Sequence, residues 1–140
     1  MKYIFLTQQF FDDYAGCIEI EQKADRPYVL LLVSMDGVDF AIPFRSNIKH
    51  SHVFWTDKTR KCGLDYSKAV VIENHKYIDA ERKPHIRECE HRALLGKEHE
   101  VRRGLSNYIA KYKSAKANPN KHSKVTLCIY SALQYFEKYF

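Results

Sequence analysis

No apolar run in this chain approaches the roughly 18 residues that a membrane-spanning helix needs. The opening MKYIFLTQQFFDDY is interrupted by Thr7 and Gln8, and no small-residue cleavage site follows it. A soluble, unexported, cytoplasmic protein is expected. Cysteine is sparse and scattered: Cys17, Cys62, Cys89 and Cys128 form no C-x-x-C pair, so reduced, mostly buried thiols are expected rather than a disulfide frame. The five glycines are isolated, which leaves out the P-loop and the dinucleotide-binding fingerprint. Neither a nucleophile elbow nor a helix-turn-helix, zinc-finger or RNP-type motif is present. The acids Asp36, Asp39, Asp57 and Asp65 are scattered over expected turns and strands, and His50-Ser51-His52 has no Cys or acid close by to complete a ligand set. His91 and His99 read as solvent-facing. Neither a metal centre nor a cofactor is expected.

What is present is a large apolar share, 45%, with 10 Tyr and 8 Phe. That is enough to build one domain over 1–140 around a real core. Charge is unevenly spread. Up to Pro43 there are three Lys/Arg against seven Asp/Glu, a balance of −4; from Phe44 onward there are twenty against ten, a balance of +10. Such segregation predicts a positive face and a polyanionic partner, nucleic acid before an anionic membrane surface.

The pattern predicts an α+β fold, a mostly antiparallel sheet with helices packed on it. KYIFLT (2–7) reads as a first strand, and 8–16 as a short helix capped by Thr7 and stopped by Gly16. YVLLLVSM (28–35) and VDFAIP (38–43) flank Asp36-Gly37, the strongest short-range hairpin signal in the chain. Phe54 and its neighbours form a candidate short strand inside a loop that reaches Thr59. TRKCGLDYS reads as a basic, turn-rich segment, KAVVI (68–72) as a strand, and 74–84 as irregular. In 86–113 two apolar stripes keep helical spacing: Ile86, Cys89, Ala93 and Leu94, then Val101, Leu105, Tyr108 and Tyr112. Gly96 between them either kinks the helix or divides it. After the turn at 118–120, Ser123 is expected to cap a last helix with Val125, Ile129, Ala132, Leu133, Phe136 and Tyr139 or Phe140 inward.

The hairpin runs into FRSNIKHSHVFW (44–55), where Arg45, Ser46, Lys49, His50 and His52 stand within eight positions and no carboxylate intervenes. RNA can be cut by its own 2′-hydroxyl if added negative charge on phosphorus is stabilised and two protons are moved. Arg, Lys and hydroxyl donors suit the first task, and His suits the second near neutral pH. By residue type alone the cluster reads equally as a phosphate-contacting or merely solvated loop.

The segments FLTQQFFDDY, RPYVLLLVSMDGVDFAIPFRSNIKH, CGLDYSKAVVI and CIYSALQYF together resemble the bacterial type III toxin–antitoxin endoribonucleases. That group includes ToxN, CptN, TenpN and AbiQ, and the TenpN branch is the most similar. The resemblance runs over nearly the whole chain and is most specific between Arg26 and Ile72. It implies a compact, twisted, barrel-like antiparallel sheet with helices. It implies metal-independent, sequence-selective cleavage leaving 2′,3′-cyclic phosphate and 5′-hydroxyl ends. It also implies inhibition by a pseudoknotted, repeat-derived antitoxin RNA in a closed assembly, in the service of phage defence by abortive infection.

Carried onto this chain, the resemblance makes Arg26 the basic residue that opens the hairpin. Arg45-Ser46 becomes the strand-end pair, Lys49 the lysine that follows it, and Tyr130-Ser131 the late aromatic–Ser pair. Phe10 stands where the family has a tyrosine, Arg45 where it has a hydroxyl, and Arg26 where it has a lysine; the lysine after the pair comes one place late. With hydroxyls lost, His50 is the expected proton carrier. The catalytic set implied is therefore Arg26, Arg45, Ser46, Lys49 and His50. His52, Lys58, Arg60, Lys61, Arg82, Lys83, Arg87 and Arg102 are expected to line the RNA groove, with Tyr66, Tyr130 and Ser131 as aromatic and hydroxyl contacts. The alternative is a non-catalytic, structured-RNA-binding protein.

Overall fold

The backbone turns sharply at Asp36-Gly37, where both residues take positive φ (51° and 77°). That is the mirror-image turn whose twist matches its flanking strands. It joins β2 (Leu30–Met35) to β3 (Val38–Arg45), the longest strand. A computed structural model describes residues 1–20, 28–118, 120 and 122–140, with the side chains of 122–125 left out. Around the hairpin lie β1 (Lys2–Ile4), β4 (Val53–Asp57), β5 (Cys62–Asp65) and β6 (Val70–Val71). The strand order is β1-β2-β3-β5-β4, with β6 also on β3, and every pairing is antiparallel. Among the described residues the sheet is open, with β1 and β4 at its edges. The expected α+β class with a mostly antiparallel sheet is therefore present.

β3 exchanges one neighbour for another along its outer side. Phe40 and Ala41 pair with β6, whereas Phe44 and Arg45 pair with β5. Pro43 stands in between. The Phe44 N–H points to the β2 side, where it donates to the Val29 carbonyl at 3.0 Å. By strand alternation the Pro43 nitrogen faces the outer side, where neither β6 nor β5 pairs with it. A residue without an N–H is tolerated at such a place.

The long helical stretch is divided rather than kinked. α2 (Glu88–Leu94) and α3 (Glu98–Ala117) are separated by Gly96 at φ +74°, a conformation that suits glycine. The α3 stripe Val101, Leu105, Tyr108 and Tyr112 is buried as expected. In α2 only Leu94 of the expected stripe is buried; Cys89 is exposed, and Glu90 is turned inward instead. α1 (Gln8–Asp13) is shorter than expected, and the Thr7 hydroxyl, rather than capping it, donates to the Lys76 carbonyl at 3.4 Å. α4 (His122–Tyr130) places Ser123 in its first turn, not at its cap. It stops at Ser131, whose hydroxyl accepts from the Leu133 N–H to start a 3-10 turn over Ala132–Tyr135. That break puts Ile129 outside (53% exposed), while Ala132, Leu133 and Phe136 join the core.

TRKCGLDYS, read as turns, contains β5 and a 3-10 turn over Tyr66–Lys68, and the KAVVI strand shrinks to β6. Phe10 is fully buried and packs on Tyr14 and Tyr77. Among the described residues no disulfide is formed; Cys62 is buried, Cys89 exposed, and Cys17 and Cys128 lie between. Among the described residues no helix is long and apolar enough to cross a membrane.

Candidate functional site at the end of the central hairpin

The strand-end cluster contains a carboxylate after all, supplied by another strand. Pairing of Phe44 with Leu64 and of Arg45 with Gly63 brings Asp65 beside the end of β3. Asp65 is completely buried. It accepts from Arg45 Nη1 at 2.7 Å, from the Ser67 hydroxyl at 2.6 Å and from the Ser67 N–H at 2.9 Å. His50 Nε2 lies 3.2 Å from one of its oxygens and 3.3 Å from the other. Burial alone would raise this carboxyl. The bonds from His50, Ser67 and Arg45 outweigh that and hold it below the usual carboxylate range.

His50 is gripped at both nitrogens. Its Nδ1 accepts the His52 backbone N–H at 3.1 Å, so Nε2 is the ring's N–H donor, facing Asp65 and, at 3.2 Å, the Ser67 oxygen. Ser, His and Asp meet here without forming a hydrolase triad, because the serine gives its proton to the aspartate directly. The His52 ring lies between His50 (5.5 Å between centroids) and Tyr108 (5.3 Å). Burial first, then repulsion from His50 and Lys111, holds its imidazole below the ordinary range. Tyr108 in turn donates to the buried Ser131 hydroxyl at 2.7 Å.

The loop after Arg45 passes through Asn47 at φ 55° and buries Ile48, which leaves Lys49 exposed and His50 half-buried. An open hollow of about 530 Å³ is lined by Lys49, His50, Trp55, Lys58 and Lys61, together with loop residues. Among the described residues no acid lines it, and Lys61 lies over the Trp55 ring at 5.7 Å. Among the described residues no carboxylate lies within 4.0 Å of Lys49, Lys58 or Lys61. A cavity of about 270 Å³ adjoins it on the other side of the strand end. Arg45 and Ser46 line that cavity with Tyr28, Phe44, Arg87 and Glu90.

Of the expected catalytic set, Arg45, Ser46, Lys49 and His50 are brought together, and Arg26 lies outside the described residues. Lys58 and Lys61 join them. Arg87 reaches the adjoining cavity, paired with Glu90 at 3.0 Å. Arg60 is exposed beside Asp57. Arg82 and Lys83 line a separate hollow with Lys2 on β1, the far edge of the sheet, and Arg82 pairs with Asp79. Arg102 is tied to Glu98 on α3.

Two expectations are corrected. Tyr66 is no stacking surface, since it is buried and donates to the Val101 carbonyl at 2.9 Å. Ser131 is buried too, and serves Tyr108 and the turn that follows it. Tyr130, by contrast, is 59% exposed on α4.

The chain's residues alone did not single out Asp65, Ser67, Trp55 or Glu90. Asp65 had a local signal: Asp-x-Ser is the spacing at which a carboxylate accepts its own second-next N–H. No protein-family model, curated protein or solved structure matches this chain.

Proposed function

We propose that this chain is a metal-independent, sequence-selective endoribonuclease, the toxin of a type III toxin–antitoxin system acting in the bacterial cytoplasm. In this reading a pseudoknotted repeat RNA inhibits it in a closed assembly, cellular and phage RNAs are its substrates, and its twisted sheet has the barrel-like form of ToxN. The resemblance in sequence suggests the identity. The observation that carries the activity is the acid-free hollow where Lys49, His50, Lys58 and Lys61 surround Trp55. Cations with no carboxylate partner attract a phosphate chain, and a partly exposed indole in the same hollow offers apolar surface to a base.

The ribose 2′-oxygen attacks the adjacent phosphorus, the bond to the 5′-oxygen breaks, water protonates the departing 5′-oxygen, and a cyclic phosphate and a 5′-hydroxyl result. Lys49 stabilises the charge gathered on the phosphoryl oxygens. Arg45 is already neutralised by Asp65 and serves more to orient than to attract. Ser46, exposed at the strand end, donates to a phosphoryl oxygen. His50 takes the 2′-proton at Nδ1, exchanging its bond from the His52 N–H for the incoming hydroxyl. Asp65 holds the opposite ring nitrogen and compensates the charge that forms.

The internal engagement of both His50 nitrogens favours a second reading, in which the cluster only grips phosphates. One experiment separates the two. RNA incubated with the protein in EDTA should acquire cyclic-phosphate and 5′-hydroxyl ends. The Lys49→Ala, His50→Ala double variant, still folded, should produce none and should no longer arrest growth when expressed. Intact RNA retained in a strongly salt-dependent way would establish the binder instead. Short tandem DNA repeats directly upstream of the coding sequence would identify the antitoxin.

A further inference from the structure

We infer that the cavity between the end of β3 and α2 is a recognition pocket for guanine. The inference deepens the RNA reading above and, for a polymeric ligand, rests on it. At about 270 Å³ the cavity is smaller than pockets for drug-sized ligands, which begin near roughly 300 Å³, and it suits a single ring system.

Its chemistry is specific. Glu90 is turned inward from α2, with its side chain only 11% exposed. Its Oε1 accepts from Arg87 Nε at 3.0 Å, and its Oε2 has no hydrogen-bond partner among the described residues. A mostly buried carboxylate with one oxygen left open beside the cavity can take donors from a ligand. Guanine carries N1–H and N2–H side by side, matching the two oxygens of a carboxylate. Its O6 and N7 accept, matching a guanidinium, and Arg45 and Arg87 both line the cavity. Adenine and cytosine each put a ring-nitrogen lone pair where guanine has N1–H, and uracil has only one N–H.

The Tyr28 and Phe44 rings also line the cavity and supply apolar surface for a base plane. Position completes the case. The cavity extends to Ser46, and the basic hollow begins at the next residue, Asn47. A nucleotide whose base enters the cavity therefore places its phosphate among Ser46, Lys49 and His50. Glu90 thus sets base preference beside the cleavage position.

Mononucleotides test this without any need for catalysis. Guanosine, inosine and adenosine 5′-monophosphates are titrated into the full-length protein, with affinity read by calorimetry and place of binding by amide shifts. Guanosine monophosphate should bind at least about tenfold more tightly than inosine monophosphate, which lacks the 2-amino donor to the carboxylate. Adenosine monophosphate should bind more weakly still, and the shifts should centre on Tyr28, Phe44 and Glu90. Glu90→Gln, matched to the wild type in its melting curve, should bring guanosine and adenosine monophosphates within about twofold of each other.

Equal binding of the three nucleotides by the wild type overturns the inference. So do shifts elsewhere on the molecule, or a guanine preference that survives Glu90→Gln. The two readings fail separately. Guanine-selective binding with RNA neither cut nor retained leaves the pocket standing and removes the ribonuclease. RNA cut or retained regardless of base does the reverse.

Discussion

Asp65 decides what the strand-end residues are available to do. By occupying Arg45 and one face of His50 it removes their freedom to swing, and it leaves Lys49, Lys58 and Lys61 as the cations of the hollow that no described carboxylate neutralises. Its folded carboxyl titrates below the unfolded value of about 3.9, so in acid the unfolded chain takes the proton first. The stability that Asp65 contributes is therefore whole above about pH 5, and it is lost as the pH falls through the folded value. Asp65→Asn leaves Arg45 and His50 without their anion and should cost about 2 kcal/mol at pH 7. The cost should shrink toward pH 3, because below the unfolded value protonation of the unfolded wild type erodes the stability that its carboxylate adds. Urea midpoints for the two proteins at both pH values measure this; a gap that stays constant would show that the charge of Asp65 contributes nothing.

At the scale of elements, most of what was legible had a local cause. The hairpin announced itself through Asp36-Gly37, whose turn needs positive φ, and the α3 stripe through its spacing. β5 did not, because four residues, Cys62–Asp65, carry too short a pattern to stand out from the basic turn before them. With β5 unseen, the register that delivers Asp65 to Arg45 was unseen as well. That is why the strand-end cluster looked free of acid. The inward turn of Glu90 was hidden for a different reason: tertiary packing, not local spacing, selected which face of α2 is buried.

A second close approach reveals itself only in three dimensions. A Cβ at Gly104 on α3 would lie 2.2 Å from the Tyr66 hydroxyl, which is held by the Val101 carbonyl. Gly104→Ala should therefore destabilise the protein by about 1–3 kcal/mol, although alanine is the better helix former by about 1 kcal/mol. A melting temperature equal to or above the wild type's would show that Tyr66 yields freely.

For the molecule as a whole, the charge asymmetry along the chain is only partly an asymmetry in space. Lys49, Lys58 and Lys61 do converge, whereas Arg82 and Lys83 sit at the opposite edge of the sheet and Arg102 is spent on Glu98. Composition could announce a cationic protein but not which cations would meet, since that depends on strand order. The exchange of neighbours at Pro43 has a mechanical consequence. One half of the sheet, β1 with β2, the start of β3 and β6, is joined to the other, β5 with β4, by only two residue pairs past a position with no amide hydrogen. The half that lines the basic hollow should therefore breathe as a unit of its own. In native-state hydrogen exchange the amides of Val53–Asp57 and Cys62–Asp65 should open together, at a lower free energy than those of Leu31 and Ile42. Uniform protection across both halves would mean that the joint is rigid; unequal protection would mean that this sheet carries its lysine-rich end on a hinge.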